Sequence, residues 1–187
     1  MVEIRQPGPD ADAPGSPDGS ALWDRVVGHL MQGGTLGEVR GLTPQHYEAM
    51  YFIGHNLYGQ SKFKEAATVF AFLAMNNPYD RRFAQALGSC KQMLGEFEQA
   101  ITWYSAASVF DMTDPLPTFH TAECLAALGQ LGDARDALDI VIKHCRTDRH
   151  DAVKTRATAM LDIVERALRD AAAGGSPPDG ARPEAGR

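Results

Sequence analysis

The sequence predicts an all-α fold of stacked helix hairpins, and three observations carry that expectation. A step of 34 residues relates Gly54, Gly88 and Ala122, then Ala66, Ala100 and Ala134, then Phe70, Tyr104 and Leu138. Phe63, Phe97 and Leu131 keep the same phase, and Ser61, Gly95 and Gly129 mark a turn at one fixed place in each period. Pro78 closes the first unit, while Pro115 and Pro117 open the third, where a missing N–H is tolerated at a helix start. Each unit therefore reads as two helices joined by a short turn: 47–60 with 63–76, 81–94 with 97–110, and 116–128 with 131–145. Small residues such as Gly54 and Ala66 let two helices approach closely, and Phe63 and Phe70 fill the space beside the crossing.

This helix–turn–helix unit, with its small and aromatic slots, resembles the tetratricopeptide repeat. Three such repeats are expected at 47–80, 81–114 and 115–145, built into a superhelix with a capping helix at each end. For the N-terminal cap, within 20–46, Ser20 is expected to start a helix with Leu22, Val26 and Leu30 in a stripe beside Trp23 and Val27, stopped by Gly33 and Gly34. For the C-terminal cap, within 146–173, Val153, Ala157, Met160, Leu161, Val164 and Leu168 share one helical face. Residues 1–19 and 174–187 carry seven of the 11 prolines and seven glycines, and they are expected to be disordered tails.

Composition narrows the function. The chain has 187 residues, 44% hydrophobic and 22% charged, enough apolar material for one folded core. A net charge of -6 argues against a nucleic-acid partner, since no broad basic surface is present to neutralise phosphates. No long apolar run marks a membrane span, and the first residues lack the basic and apolar regions of an export signal, so a cytoplasmic location is expected. Cys90, Cys124 and Cys145 form no CxxC pair, which fits a reducing compartment. Phosphate-loop, HExxH and GxSxG motifs are missing, so no enzyme is expected. No cofactor or metal is expected either: His120, Glu123 and Cys124 sit together on one helix, but a zinc site wants about four convergent ligands.

In a stack of this kind the first helix of each pair lines the concave side. By phase the groove candidates are Tyr51, His55 and Tyr58, then Arg82, Gln85, Ser89 and Gln92, then Leu116, Phe119, Glu123 and Ala127. Tyr51, His55 and Tyr58 form a stripe on a helix whose other face has Met50, Ile53 and Leu57 as expected core. Core packing is the competing reading of Tyr51 and Phe119. Three apolar anchors in such a groove contribute about 1.5–3 kcal/mol each. Association costs roughly 4–15 kcal/mol, so a stable complex would need further contact surface on the N-terminal helix or the convex face.

The strings MYFIGHNLYGQSKFKEAATVF, NPYDRRFAQALGSCKQMLGEFEQAITWYS and PLPTFHTAECLAALGQLGDA, with GGTL after the first helix, resemble the class II, translocator-type chaperones of bacterial type III secretion systems (the SycD/LcrH group). The resemblance covers about residues 20–170. It implies a non-enzymatic cytoplasmic protein that binds hydrophobic pore-forming translocators, holding an extended segment with spaced Pro and aliphatic anchors in the groove. On the matching positions that role falls to Tyr51, His55, Tyr58, Phe83, Gln85, Ser89, Phe119 and Glu123. It also implies a homodimer, with Leu22, Trp23, Val26, Val27 and Leu30 as the candidate interface. A general repeat adaptor, and a regulatory partner of a transcription activator, are the alternative readings.

Overall fold

The computed structural model describes residues 19–174; the tail expectations for 1–18 and 175–187 lie outside the described residues. The described chain is helical from end to end: α1 (Gly19–Met31), α2 (Leu36–Val39), α3 (Pro44–Gly59), α4 (Phe63–Asn76), α5 (Arg81–Met93), α6 (Phe97–Phe110), α7 (Leu116–Ala127), α8 (Leu131–His144) and α9 (Asp151–Gly174). A 3-10 turn, Asp148–His150, leads into α9. Consecutive helices pack on one another from α3 through α9.

The hairpin turns repeat in detail because the sequence repeats. Ser61, Gly95 and Gly129 have φ of +60°, +76° and +75°, the left-handed conformation that ends a helix. One residue further on, the N–H of Lys62, Glu96 and Gln130 donates back to the carbonyl of Leu57, Lys91 and Leu125, each at 2.9 Å. The same three residues then offer their carbonyls to Ala66, Ala100 and Ala134, opening the second helix of each pair. One backbone conformation at one place thus stops a helix, turns the chain and starts its partner.

Packing follows the same period. Ala66, Ala100 and Ala134 are fully buried, as are Tyr104 and Leu138, and Phe70 is 1% exposed. A Cβ added to Gly54 would meet the Phe70 ring at 2.7 Å, and one added to Gly88 would meet Tyr104 at 2.9 Å. Where the third unit has Ala122, the large slot holds the smaller Leu138, and both are fully buried in one cluster. Each crossing is filled either by glycine against an aromatic ring or by alanine against leucine.

The flanks differ from expectation in places. Helix α3 starts at Pro44 rather than 47, with Thr43 as its N-cap and Pro at the first helical position. The expected linker contains α2, which a reciprocal capping box between Thr35 and Glu38 encloses. Ser20 stands inside the first turn of α1, since the helix begins at Gly19. Ile53, expected in the core, is 52% exposed, and its neighbour Phe52 is 67% exposed, because that side of α3 is left largely open among the described residues. Helix α1 buries no residue of its own, and Trp23 is 67% exposed. Its end is tied to α2 by His29 Nε2 at 2.9 Å from Glu38 Oε2. At the other end, α9 buries Ala157 and Val164, with Val153, Met160, Leu161 and Leu168 packed around them.

Candidate functional site

Helices α3, α5, α7 and α9 form one wall, joined in turn by Glu48–Arg82, Gln92–Glu123 and Glu123–Arg156 contacts. At the N-terminal end the wall is aromatic. The Tyr51 ring is half-buried, 4.4 Å from the His55 ring and 5.7 Å from both Phe70 and Phe83. Arg82 places its guanidinium 5.0 Å over Tyr51 and 5.7 Å over Phe83, while its nitrogens pair with Glu48 at 2.6 Å and Asp80 at 2.7 Å. Hydrogen bonds to Asp80 and Glu48 hold the Arg82 charge firmly in place, raising its pKa above the ordinary value. Tyr58 packs its ring 5.2 Å from Phe63. Burial raises the pKa of both the Tyr51 and Tyr58 hydroxyls, so each offers an apolar ring with a neutral donor at its tip.

The C-terminal end is a polar chain. Tyr104 donates to Gln92 Oε1 at 2.7 Å and lies 3.2 Å from Ser89 Oγ, and Ser89 in turn donates to the Gln85 carbonyl at 3.1 Å. Gln92 Nε2 donates to Glu123 Oε2 at 3.1 Å, which also meets His120 Nδ1 at 2.8 Å. Arg156, from α9, donates to Glu123 Oε1 at 3.1 Å and covers the Phe119 ring at 4.6 Å. Burial pushes the Glu123 carboxyl up, but the hydrogen bonds from His120 and Gln92 and the charges of His120 and Arg156 outweigh it, so its pKa is lowered.

Phase and depth separate here. Tyr51, Tyr58, Gln85, Ser89, Gln92 and Glu123 are half-buried, and His55 and Arg82 are exposed. Phe83 corrects the expectation: it is fully buried, stacked 5.7 Å from Tyr47, and belongs to the core beneath the groove. Phe119 is also corrected, at 2% exposure, because Arg156 lies across it and its side chain joins the α7–α9 core. Phase reasoning did not place Arg156 or His120 on the wall, and it marked Tyr104 only as a large core slot, not as the donor to Gln92. The period gave no signal for Arg156: one more step of 34 from Ala122 reaches it, but that slot is small and buried in the three units, and in α9 the fully buried alanine is the next residue, Ala157.

The three cysteines are buried and free. Burial pushes the thiols of Cys90 and Cys124 up to about 11, which makes them poor nucleophiles and poor metal ligands at neutral pH. No helix among the described residues is long and apolar enough to cross a membrane.

A stack of helix hairpins whose small and large buried slots recur at a fixed step defines a tetratricopeptide-type repeat protein. No family model matches the chain. The "Low calcium response locus protein H" of Yersinia pestis is 31% identical over 138 residues, covering 73% of this chain and 82% of that protein. A type III secretion complex from Aeromonas hydrophila contains a chain 32% identical, with a TM-score of 0.74, covering 78% of this chain and 97% of that one. The chaperone SycD of Yersinia enterocolitica, solved with a peptide of the translocator YopD, is 30% identical with a TM-score of 0.65, covering 68% and 98%. The chain belongs to the class II translocator chaperones of type III secretion systems.

Proposed function

We propose that this chain is a non-catalytic, cytoplasmic chaperone that holds an extended apolar segment of a hydrophobic translocator in its concave groove before export. One observation carries this reading: Tyr51 and Tyr58 keep half-buried rings on α3, and the half-buried Gln85, Ser89 and Gln92 on α5 bring polar groups that would meet a peptide backbone. Apolar side chains and prolines of the segment would seat against the rings, and main-chain groups would take the polar contacts. A segment destined for a membrane aggregates in water, and covering it withholds the surface through which it self-associates. The chain's net charge of -6 adds to the solubility of the complex. Helix α1, with its exposed apolar residues, would serve a homodimer.

Co-expression with a hydrophobic translocator from the same secretion system is the test. His55→Glu with Gln85→Glu places two carboxylates on the wall, one at an exposed and one at a half-buried position. The soluble fraction of the translocator is expected to fall about tenfold, as desolvating charge against an apolar segment requires, with helicity unchanged. Full solubility with the double variant would remove the groove from the account.

A further inference from the structure

A cavity of about 660 Å³ opens between the α6–α7 loop and the α8–α9 junction. Of the groove candidates only Leu116 reaches it. Its wall gathers Arg81, Arg146 and Arg149 with His144 and His150, although the chain as a whole is acidic. Two carboxylates are also present, but both are committed. Arg81 Nη1 lies 2.7 Å from Asp114 and 3.2 Å from Asp111. Asp114 accepts from the Leu116 N–H at 3.0 Å, and Asp111 from the Thr113 hydroxyl at 2.7 Å.

The remaining basic groups are at most partly committed. Arg146 and Arg149 have no carboxylate partner among the described residues; Arg146 makes one long contact, 3.4 Å, to the Lys143 carbonyl. His144 Nδ1 is bonded to the Ile140 carbonyl at 2.8 Å, which leaves Nε2 for another partner. His150 Nδ1 is shut off from solvent and meets no hydrogen-bonding group among the described residues, an arrangement native proteins rarely leave unexplained.

We propose that this cavity is a second docking site, which takes a short acidic segment of a protein partner through its carboxylates. Two unpaired guanidiniums with flanking imidazoles match carboxylate geometry, and the apolar floor of Leu116 and Val153 suits the stems of Glu side chains. Charge complementarity selects the occupant. A nucleic acid needs an extended basic stripe, whereas this patch is confined to one cavity on a chain of net charge -6.

Fluorescence anisotropy of a labelled octaglutamate peptide against the full chain at low salt tests the site. Saturable one-to-one binding is expected, and with it movement of the His144 and His150 imidazole resonances in the unsubstituted protein. Arg146→Glu with Arg149→Glu should weaken binding about tenfold or more, while Arg135→Glu with Arg166→Glu, an equal charge change outside the cavity, should alter it less than about twofold. Absent binding, unmoved histidine resonances, or equal weakening by the two pairs would overturn the proposal. So would orthophosphate binding as tightly as the peptide, which marks a small-anion site, or a DNA duplex binding more tightly.

Discussion

At the scale of single residues, the repeat is a set of matched volumes. Gly54 has no room for a side-chain carbon because the Phe70 ring lies where it would go. The third unit solves the same crossing with Ala122 and Leu138. Gly54→Ala is expected to cost about 1–3 kcal/mol from overpacking, and Phe70→Leu a similar amount from the cavity it leaves. Together they recreate the third unit's pairing, so the double variant should lose about 1 kcal/mol less than the sum of the two. Urea unfolding of the four proteins measures this, and strict additivity would show that the two slots do not share one space. Such pairings are legible in sequence because both partners recur at a fixed step. Depth is less legible: Phe119 has the phase of a groove residue, but Arg156 from a distant helix covers it.

Among the elements, those inside the period were readable and those outside it were not. The second helices begin at Phe63, Phe97 and Leu131, the positions the repeated aromatic and leucine slots mark. Helix α2 lies outside the period and depends on a capping box of four residues, a local signal that a repeat search passes over. Helix α1 was legible as an amphipathic stripe, but its partner was not, because no other element among the described residues buries it. Leu22 is 46% exposed, close to Trp23 in sequence, and the open side of α3 adds Phe52 and Ile53. Exposed apolar surface of this kind is what a second copy would cover. Leu22→Glu with Trp23→Glu is therefore expected to shift the chain from dimer to monomer in sedimentation velocity at micromolar concentration, with helicity retained. A dimer that survives the double change would place its interface elsewhere.

For the whole molecule, the question is how units that touch only their neighbours unfold together. A repeat stack is stabilised by intrinsic terms and by the interfaces between successive units. Glu123 joins α5, α7 and α9 at one carboxylate, through Gln92, His120 and Arg156. Its pKa is lowered from the ordinary 4.5 in the folded chain, burial being outweighed by these partners. A carboxyl with a depressed folded pKa contributes stability above its unfolded pKa, and that contribution is lost as pH falls through the folded value. At pH 7 Glu123→Gln should therefore lower the Tm, because Arg156 and His120 lose their charged partner and the second unit, third unit and α9 lose a shared contact. As pH falls below 4.5, protonation takes the same charge from the unsubstituted protein, and the gap between the two should narrow. Thermal unfolding followed by circular dichroism at pH 7 and pH 3 decides it. A gap of constant size would mean that Glu123 joins the units through shape and neutral hydrogen bonds, with its charge contributing nothing.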